Sequence, residues 1–486
     1  MHQKTKFESP DHKSPMVQKV KNSSNDLNGL FIRQSLHKKN VALTSYKERI
    51  LKLKRIKDWI FAHQQQIRIA LYEDLKKPAP ETDLMEIYVV ISELRHAVRH
   101  LKHWMKPIPV RRMITLPTAR SFIHLEPRGN VLIVSPWNYP FMLALGPLVS
   151  AIAAGNCIVL KPSELTPQTS RLLKQMVSDL FPEEELAVLE GDKEVATELL
   201  RYPFDHVFFT GSARVGKIIM RAAAENLSSL TLELSGKSPV IVDETADIAD
   251  AAKKICWGKF INCGQSCVAP DYILVHENKF SELLDRLKRE IEHSYAGEKG
   301  SLHYSRIINE QHYARLMDMI NECRQRNAKI ECGGNGEESE NYIEPTLITH
   351  VPEDTVLMTE EIFGPLLPVL KYVRLEDALD FINEREKPLA LYIFSRDKKN
   401  IKMILSGTSA GGTCVNDTVK QFIHLNLPFG GVNQSGMGNA HGYFGFKTFS
   451  HERAVLFNNK YDPLSIFYPP YTPVIEKLIS ILIRYF

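Results

Sequence analysis

The stretch Asn130-Val-Leu-Ile-Val-Ser-Pro-Trp-Asn-Tyr-Pro140, continued by a helical run from Met142 to Ala154, the stop Gly155-Asn156 and a second apolar run Cys157-Ile-Val-Leu160, sets the fold class. A short, wholly apolar run suits a strand buried on both faces, which is the strand of a parallel sheet. A helix ended by Gly-Asn and followed at once by another such run makes a βαβ unit. The alternation extends outward from there. Strands are expected at Leu186 to Leu189, His206 to Phe209, Leu230 to Leu234 and Pro239 to Val242, with helical runs between most of them. It resumes with strand Tyr272-Ile-Leu-Val275, helices near 278–294 and 310–325, strands near 343–348 and 366–372, and a helix near 375–384. Strand Ala390 to Phe394, a helix near 398–406 and strand Gly412 to Val415 follow. The expected architecture is two doubly wound α/β domains.

On the N-terminal side, Phe31 to about Leu75 carries apolar residues at helical spacing (Leu43, Tyr46, Ile50, Leu53, Ile56, Ile60), and a second helical run spans Glu81 to Trp104. Residues 1–28 are polar, with Pro10, Pro15 and an Asn/Ser cluster, and are read as a flexible extension. From Pro107-Ile-Pro109 to about residue 126 helical periodicity is lost, and a β arm is expected. At the other end, Ile475, Leu478, Ile479 and Leu482 fall on one stripe of an amphipathic helix within the tail 468–486. Such a stripe packs on the protein's own surface or a second subunit, or makes weak contact with a membrane surface.

Composition bounds the function. With 486 residues and a net charge of +4, the chain is large enough for several packed units and gives no sign of a nucleic-acid partner. Its seven cysteines are odd in number and lack a metal-type pair, so neither a disulfide framework nor a metal site is expected. The N-terminus carries no signal-like apolar run, and a reducing, cytoplasmic setting is the expectation.

Five places could carry chemistry. In Phe260-Ile-Asn-Cys-Gly-Gln-Ser-Cys-Val-Ala-Pro-Asp-Tyr272, Cys267 sits between a helical run and a strand, with Gly264 allowing close backbone approach. It is a nucleophile or a buried structural thiol. Asn138, between two prolines at a strand end, is held stiffly enough to donate to an oxyanion. Glu233 interrupts an apolar strand, an environment that raises a carboxyl's pKa and suits a general base. Thr210-Gly211-Ser212-Ala-Arg-Val-Gly216-Lys217 follows a strand and opens a helix, as an anion site would, but Ile218 stands where a P-loop needs a hydroxyl. Lys161 and Glu164 at a strand end, and Glu361 and Phe363 on a Gly-Pro turn, could meet ribose hydroxyls and a flat ring.

Taken together, Pro136-Trp-Asn-Tyr-Pro-Phe141, Leu160-Lys-Pro-Ser-Glu164, Thr210-Gly-Ser, Leu232-Glu-Leu-Ser-Gly-Lys237, Gly264-Gln-Ser-Cys267, Glu361-Ile-Phe-Gly-Pro365 and Leu427-Pro-Phe-Gly-Gly431 resemble the NAD(P)-dependent aldehyde dehydrogenase superfamily, and most closely its class 3 branch of fatty- and aromatic-aldehyde enzymes. The likeness runs from about residue 30 to 460. It implies an NAD(P)-binding domain over 29–106 and 127–232, a catalytic domain over 233–420, and an oligomerisation arm over 107–126 and 438–460 of a homodimer. It implies Cys267 as nucleophile, Asn138 and the Cys267 backbone N–H as oxyanion donors, and Glu233 as the base that activates water. It also implies Trp137, Lys161, Glu164, Thr210, Gly211, Ser212, Gly216, Glu361 and Phe363 around the dinucleotide, NAD preferred and NADP accepted, with no metal. Two alternatives are a relative that kept the fold as a binding protein, disfavoured by the intact Asn138, Glu233 and Cys267, and a CoA-acylating enzyme, disfavoured by Glu233, because a hydrolytic base would waste the thioester. Ser235 stands where the family usually has a glycine, Asn433-Gln434 replaces a Gly-Asn pair, and Cys263 is close enough in sequence to pair reversibly with Cys267 on oxidation or simply to pack.

Overall fold

Strand Asn130–Val134 is buried along its whole length and is paired in parallel on both sides, with Cys157–Lys161 and with His206–Thr210. This is the computed structural model's answer to the apolar run, and the rest of the first sheet grows from it. Its order is Gly436–Met437, Ser229–Glu233, His206–Thr210, Asn130–Val134, Cys157–Lys161, Leu186–Val188, parallel except for the short first strand. The helix that follows the central strand, Pro140–Ala154, starts on a proline and ends at Gly155 with φ 89°. Only a residue without a Cβ fits there, because a Cβ would lie 2.4 Å from the Arg49 guanidinium. That guanidinium donates to the last free carbonyls of the helix, Ala153 at 3.1 Å and Ala154 at 2.7 Å.

The second sheet has the order Lys329–Cys332, Thr346–Thr349, Leu366–Tyr372, Tyr272–His276, Pro239–Val242, Ala390–Phe394, Gly412–Val415, with only Lys329–Cys332 antiparallel. The sequence passes from first sheet to second at Glu233–Pro239, so Glu233 ends one sheet just before the other begins. A three-stranded antiparallel ribbon pairs Ile108–Pro109, Arg120–Pro127 and Ser450–Phe457, the last two in register over eight residues.

The structure describes residues 15–113, 116, 118–295, 303–460 and 462–485, with residues 15–26 as backbone alone. Residues 1–14 of the expected flexible extension lie outside the described residues. The remainder departs from that expectation, because Pro15–Ala42 is one helix. Proline suits the first turn of a helix, and Leu27, Leu30 and Phe31 tie it to the first sheet through Val159, Leu199 and Phe204. Within 438–460, only Ser450–Phe457 joins the ribbon; Gly442–Thr448 is a short helix against Pro140–Ala154. The tail forms helix Pro473–Tyr485, preceded by the turn Pro463–Phe467, and none of its residues is buried. Among the described residues, no helix is long and apolar enough to cross a membrane.

Candidate active site

Helix Ile248–Phe260 leads into a tight turn, Ile261–Gly264, in which Asn262, Cys263 and Gly264 take φ of 51°, 55° and 73° in succession. Left-handed residues in a row are costly and persist only where their surroundings over-determine them. Here the clamps are explicit. The Asn262 N–H donates to Glu81 Oε1 at 2.9 Å, and its side-chain amide donates to the backbone carbonyls of Asn138 at 2.8 Å and Gln265 at 3.0 Å. Gln265, fully buried, donates to the carbonyls of Asn262 and Arg306 and accepts from the Ile308 N–H at 3.0 Å. Gly264 passes so near the Gly364 carbonyl that a Cβ would lie 2.3 Å from that oxygen. Two turns of sequence are thereby fastened together, and Cys267 projects from the fastened loop.

Cys267 and Glu233 line the same cleft, otherwise mostly apolar, with Met142, Leu143, Phe422 and Phe429 among its walls. Burial, then the nearby Glu361 and Glu233 carboxyls, push the Cys267 thiol up to about 12. Glu233 is buried, and neither of its carboxyl oxygens has a hydrogen-bond partner among the described residues. Burial holds its pKa well above the ordinary carboxylate range. Asn138 is also buried, its side-chain amide donating at 3.1 Å to the carbonyl of Gln265, two residues before Cys267. An amide carries two N–H groups, so one remains for a ligand.

What holds Asn138 was not visible in the sequence. Lys77 and Glu86 are both fully buried and paired at 2.5 Å; Lys77 also donates to the Asn138 carbonyl at 3.2 Å, and Glu86 accepts from the Met142 N–H at 2.8 Å. Glu86 reaches this place from a π-helical turn, Asp83–Ile87. Glu81, one of the clamps on Asn262, is pushed up to about 7 by burial. The signal that could have found them is two charges, Lys77 and Glu86, on a segment otherwise destined for the core.

The remaining residues gather at the carboxyl ends of the parallel strands and on the facing turn. Lys161 is buried at its strand's end and donates to Glu164 Oε2 at 2.8 Å. Thr210 ends the strand on the other side of Asn130–Val134, and Ser212 caps helix Ala213–Glu225 by accepting from the Val215 N–H at 3.4 Å. Gly211 and Gly216 keep this turn low: a Cβ would lie 2.5 Å from Phe209 at the first and 2.8 Å from Leu234 at the second. Opposite, Phe363 (φ 48°) meets the Trp137 ring edge-on at 5.3 Å, and Trp137 also touches His312. Glu361, pushed up to about 8 by burial, accepts from Ser235. Cys263 is fully buried and, like Cys267, a free thiol.

The sequence matches the Aldehyde dehydrogenase family over residues 3–455. The match begins at residue 3, so most of the first 28 residues fall within the family's span rather than forming an addition to it. The chain is 45% identical over 420 residues to the 4,4'-diaponeurosporen-aldehyde dehydrogenase of Staphylococcus aureus, which covers 86% of this chain and 91% of that one. It is 40% identical over 467 residues to a probable coniferyl aldehyde dehydrogenase of Pseudomonas aeruginosa, covering 95% and 97%. Among solved structures, the substrate-bound state of Staphylococcus aureus AldH superposes with a TM-score of 0.90 at 41% identity, over 94% of this chain and 99% of that one. A Mycobacterium tuberculosis aldehyde dehydrogenase complexed with NAD+ superposes at 0.83 and 26% identity, over 90% and 91%. A thiol and a carboxyl sharing one apolar cleft, inside a chain matched along nearly its whole length, place this protein in the aldehyde dehydrogenase family of oxidoreductases.

Proposed function

We propose that this enzyme oxidises medium- to long-chain aliphatic or aromatic aldehydes to carboxylic acids, with NAD preferred over NADP, through a thioester on Cys267. The observation that carries the reading is the cleft: Cys267 and an unpartnered Glu233 carboxyl open onto one apolar space. Cys267 Sγ attacks the aldehyde carbon, and the thiol's proton leaves to a base as the C–S bond forms. The free N–H of the Asn138 amide and the Cys267 backbone N–H hold the resulting oxyanion. A bound nicotinamide would accept the hydride that the carbon then loses, leaving a thioester. Glu233 takes a proton from water, the water oxygen adds to the thioester, and the thiol departs with that proton as the acid is released.

The residues fit a dinucleotide. The low turn at Gly211 and Gly216 and the first N–H groups of helix Ala213–Glu225 offer room and positive charge to a pyrophosphate. Lys161 and Glu164 would hold the adenosine ribose, Glu361 the nicotinamide ribose, with Trp137 and Phe363 beside the ring. Glu164 is partly exposed, so its charge would oppose a 2′-phosphate, which supports NAD. The NAD+ complex of the Mycobacterium tuberculosis enzyme supports the same assignment. The apolar cleft, and relatives named as a 4,4'-diaponeurosporen-aldehyde dehydrogenase and a probable coniferyl aldehyde dehydrogenase, support the substrate class. We further assign the ribbon to a homodimer interface, the tail helix to weak membrane-surface contact, and the protein to the cytoplasm.

The test is NADH formation by purified protein with aldehydes from acetaldehyde through decanal to benzaldehyde, using NAD and NADP in turn and Cys267→Ser beside the native protein. Turnover that rises with chain length or aromaticity and vanishes in the variant is expected. Turnover retained by Cys267→Ser would end the mechanism, and a higher efficiency with NADP would end the cofactor preference.

A further inference from the structure

Ser235 lies on the segment that carries the chain from the first sheet to the second, two residues after Glu233. Its Oγ donates to Glu361 Oε2 at 2.5 Å, which spans the two sides of the site. The backbone around Glu361 is already fixed without it. Arg315 donates to the Glu361 carbonyl at 3.3 Å and the Ile362 carbonyl at 2.5 Å, and Lys237 donates to the Glu360 carbonyl at 2.7 Å. The segment of Ser235 is fixed too: Leu234 N–H donates to the Ser435 carbonyl at 3.1 Å, and Lys237 pairs with Asp271 at 2.5 Å. What these contacts leave free is the Glu361 side chain itself. Among the described residues, Ser235 is the only hydrogen-bond donor to its carboxylate.

A carboxylate has two oxygens and about four acceptor positions. One donor on Oε2 fixes the rotamer and leaves Oε1 for others. The same donor favours the ionised form, against the burial that raises the Glu361 pKa, and an ionised acceptor binds hydroxyls more strongly than a neutral one. We propose that Ser235 is a positioning residue for the dinucleotide: its hydroxyl holds the Glu361 carboxylate in the orientation that receives ribose hydroxyls, so cofactor affinity depends on it. This rests on the reading of Glu361 as the ribose acceptor given above. The opposite view, that Ser235 occupies Glu361 and competes with the ribose, makes the opposite prediction for affinity.

The test uses the full-length protein and the dissociation constant of NAD, read by calorimetry and by quenching of tryptophan fluorescence, in native protein, Ser235→Ala, Ser235→Gly, Glu361→Gln and Ser235→Ala combined with Glu361→Gln. Loss of a hydrogen bond to a charged group predicts NAD weakened about tenfold in both Ser235 variants. In the Glu361→Gln background, Ser235→Ala should add less than about twofold, because its effect acts through the carboxylate. In steady state, KM for NAD should rise with the aldehyde KM unchanged. Unchanged or tighter NAD binding in Ser235→Ala, with a native melting temperature, overturns the proposal, and so does an undiminished loss in the Glu361→Gln background. If Ser235→Gly fails to fold, Ser235→Ala carries the test alone. Native protein that binds neither NAD nor NADP defeats the cofactor reading instead, a result distinct from native binding that Ser235→Ala leaves intact.

Discussion

Burial holds the Glu233 carboxyl well above the carboxylate range, and burial with the nearby Glu361 and Glu233 carboxyls pushes the Cys267 thiol up to about 12. Each needs to lose its proton to act, so kcat/KM should climb on the alkaline side of neutrality. A profile flat from pH 6 to about pH 9 would contradict this. Glu233→Gln removes the base but keeps the shape, and should leave a burst of NADH followed by turnover slowed about 10²–10⁴-fold. It should also change stability. A carboxyl whose folded pKa lies above its unfolded value of 4.5 stabilises the fold fully below 4.5, and that contribution is lost as pH rises toward the folded value. The glutamine has nothing to lose, so its unfolding free energy relative to native protein, measured by denaturant titration, should increase steadily from about pH 5 upward, with a limiting slope of about 1.4 kcal/mol per pH unit. These two residues were legible in sequence because each breaks a local pattern, an acid in an apolar strand and a cysteine in a loop beside glycine. Lys77 and Glu86 break no pattern that a period can detect, because Lys77 lies in the loop before helix Ala79–Thr82 and Glu86 in the π-turn after it, so no single helical period relates them.

At the scale of elements, the turn Ile261–Gly264 and the buried Lys77–Glu86 pair serve one purpose: both end on the carbonyl of Asn138. Gly264→Ala places a Cβ 2.3 Å from the Gly364 oxygen at φ 73°, so the loop must move. The expected cost is on the order of 1–3 kcal/mol with most activity lost; a variant with native kcat would show that the loop is not held where its contacts say. Lys77→Met strands Glu86 as an uncompensated buried charge and should destabilise by about 3–5 kcal/mol. Lys77→Met with Glu86→Leu should recover much of that stability in thermal melts without recovering full activity, since the Asn138 carbonyl loses one of its two donors and keeps only the Asn262 amide. Strands were the most legible elements, because a wholly apolar run has few other places to go. The left-handed Asn433 (φ 57°) was legible too, from the tolerance of asparagine for that region. The first half of helix Pro15–Ala42 was not: it is polar, and the helical spacing in the sequence begins only at Phe31. Helix Gly442–Thr448 carries two glycines, Gly442 and Gly445, of poor helix propensity and is set by packing against Pro140–Ala154.

For the whole molecule, the telling feature is strand Ser450–Phe457. It is the outer strand of its ribbon, paired on one side only, with one buried residue in eight. Leu456 and Phe457 are 53% and 60% exposed, and Phe457 stacks on Phe122 across the ribbon at 5.7 Å. A long edge strand that offers free N–H and C=O groups beside exposed apolar side chains is a pairing surface, and a folded protein leaves such an edge open only where something covers it. A second copy of the chain, related by a twofold axis, would cover it with the same surface it offers. Native protein should therefore sediment at twice 55.4 kDa. Leu456→Asp with Phe457→Asp puts two like charges on each side of that contact and should shift the protein to the monomer at micromolar concentration. Because none of the residues that line the cleft of Cys267 and Glu233 belongs to the ribbon strands, the monomer should still bind NAD with little change in affinity. Native protein sedimenting as a monomer would remove the interface, whereas a charged variant that remains dimeric would move it to another face of the molecule.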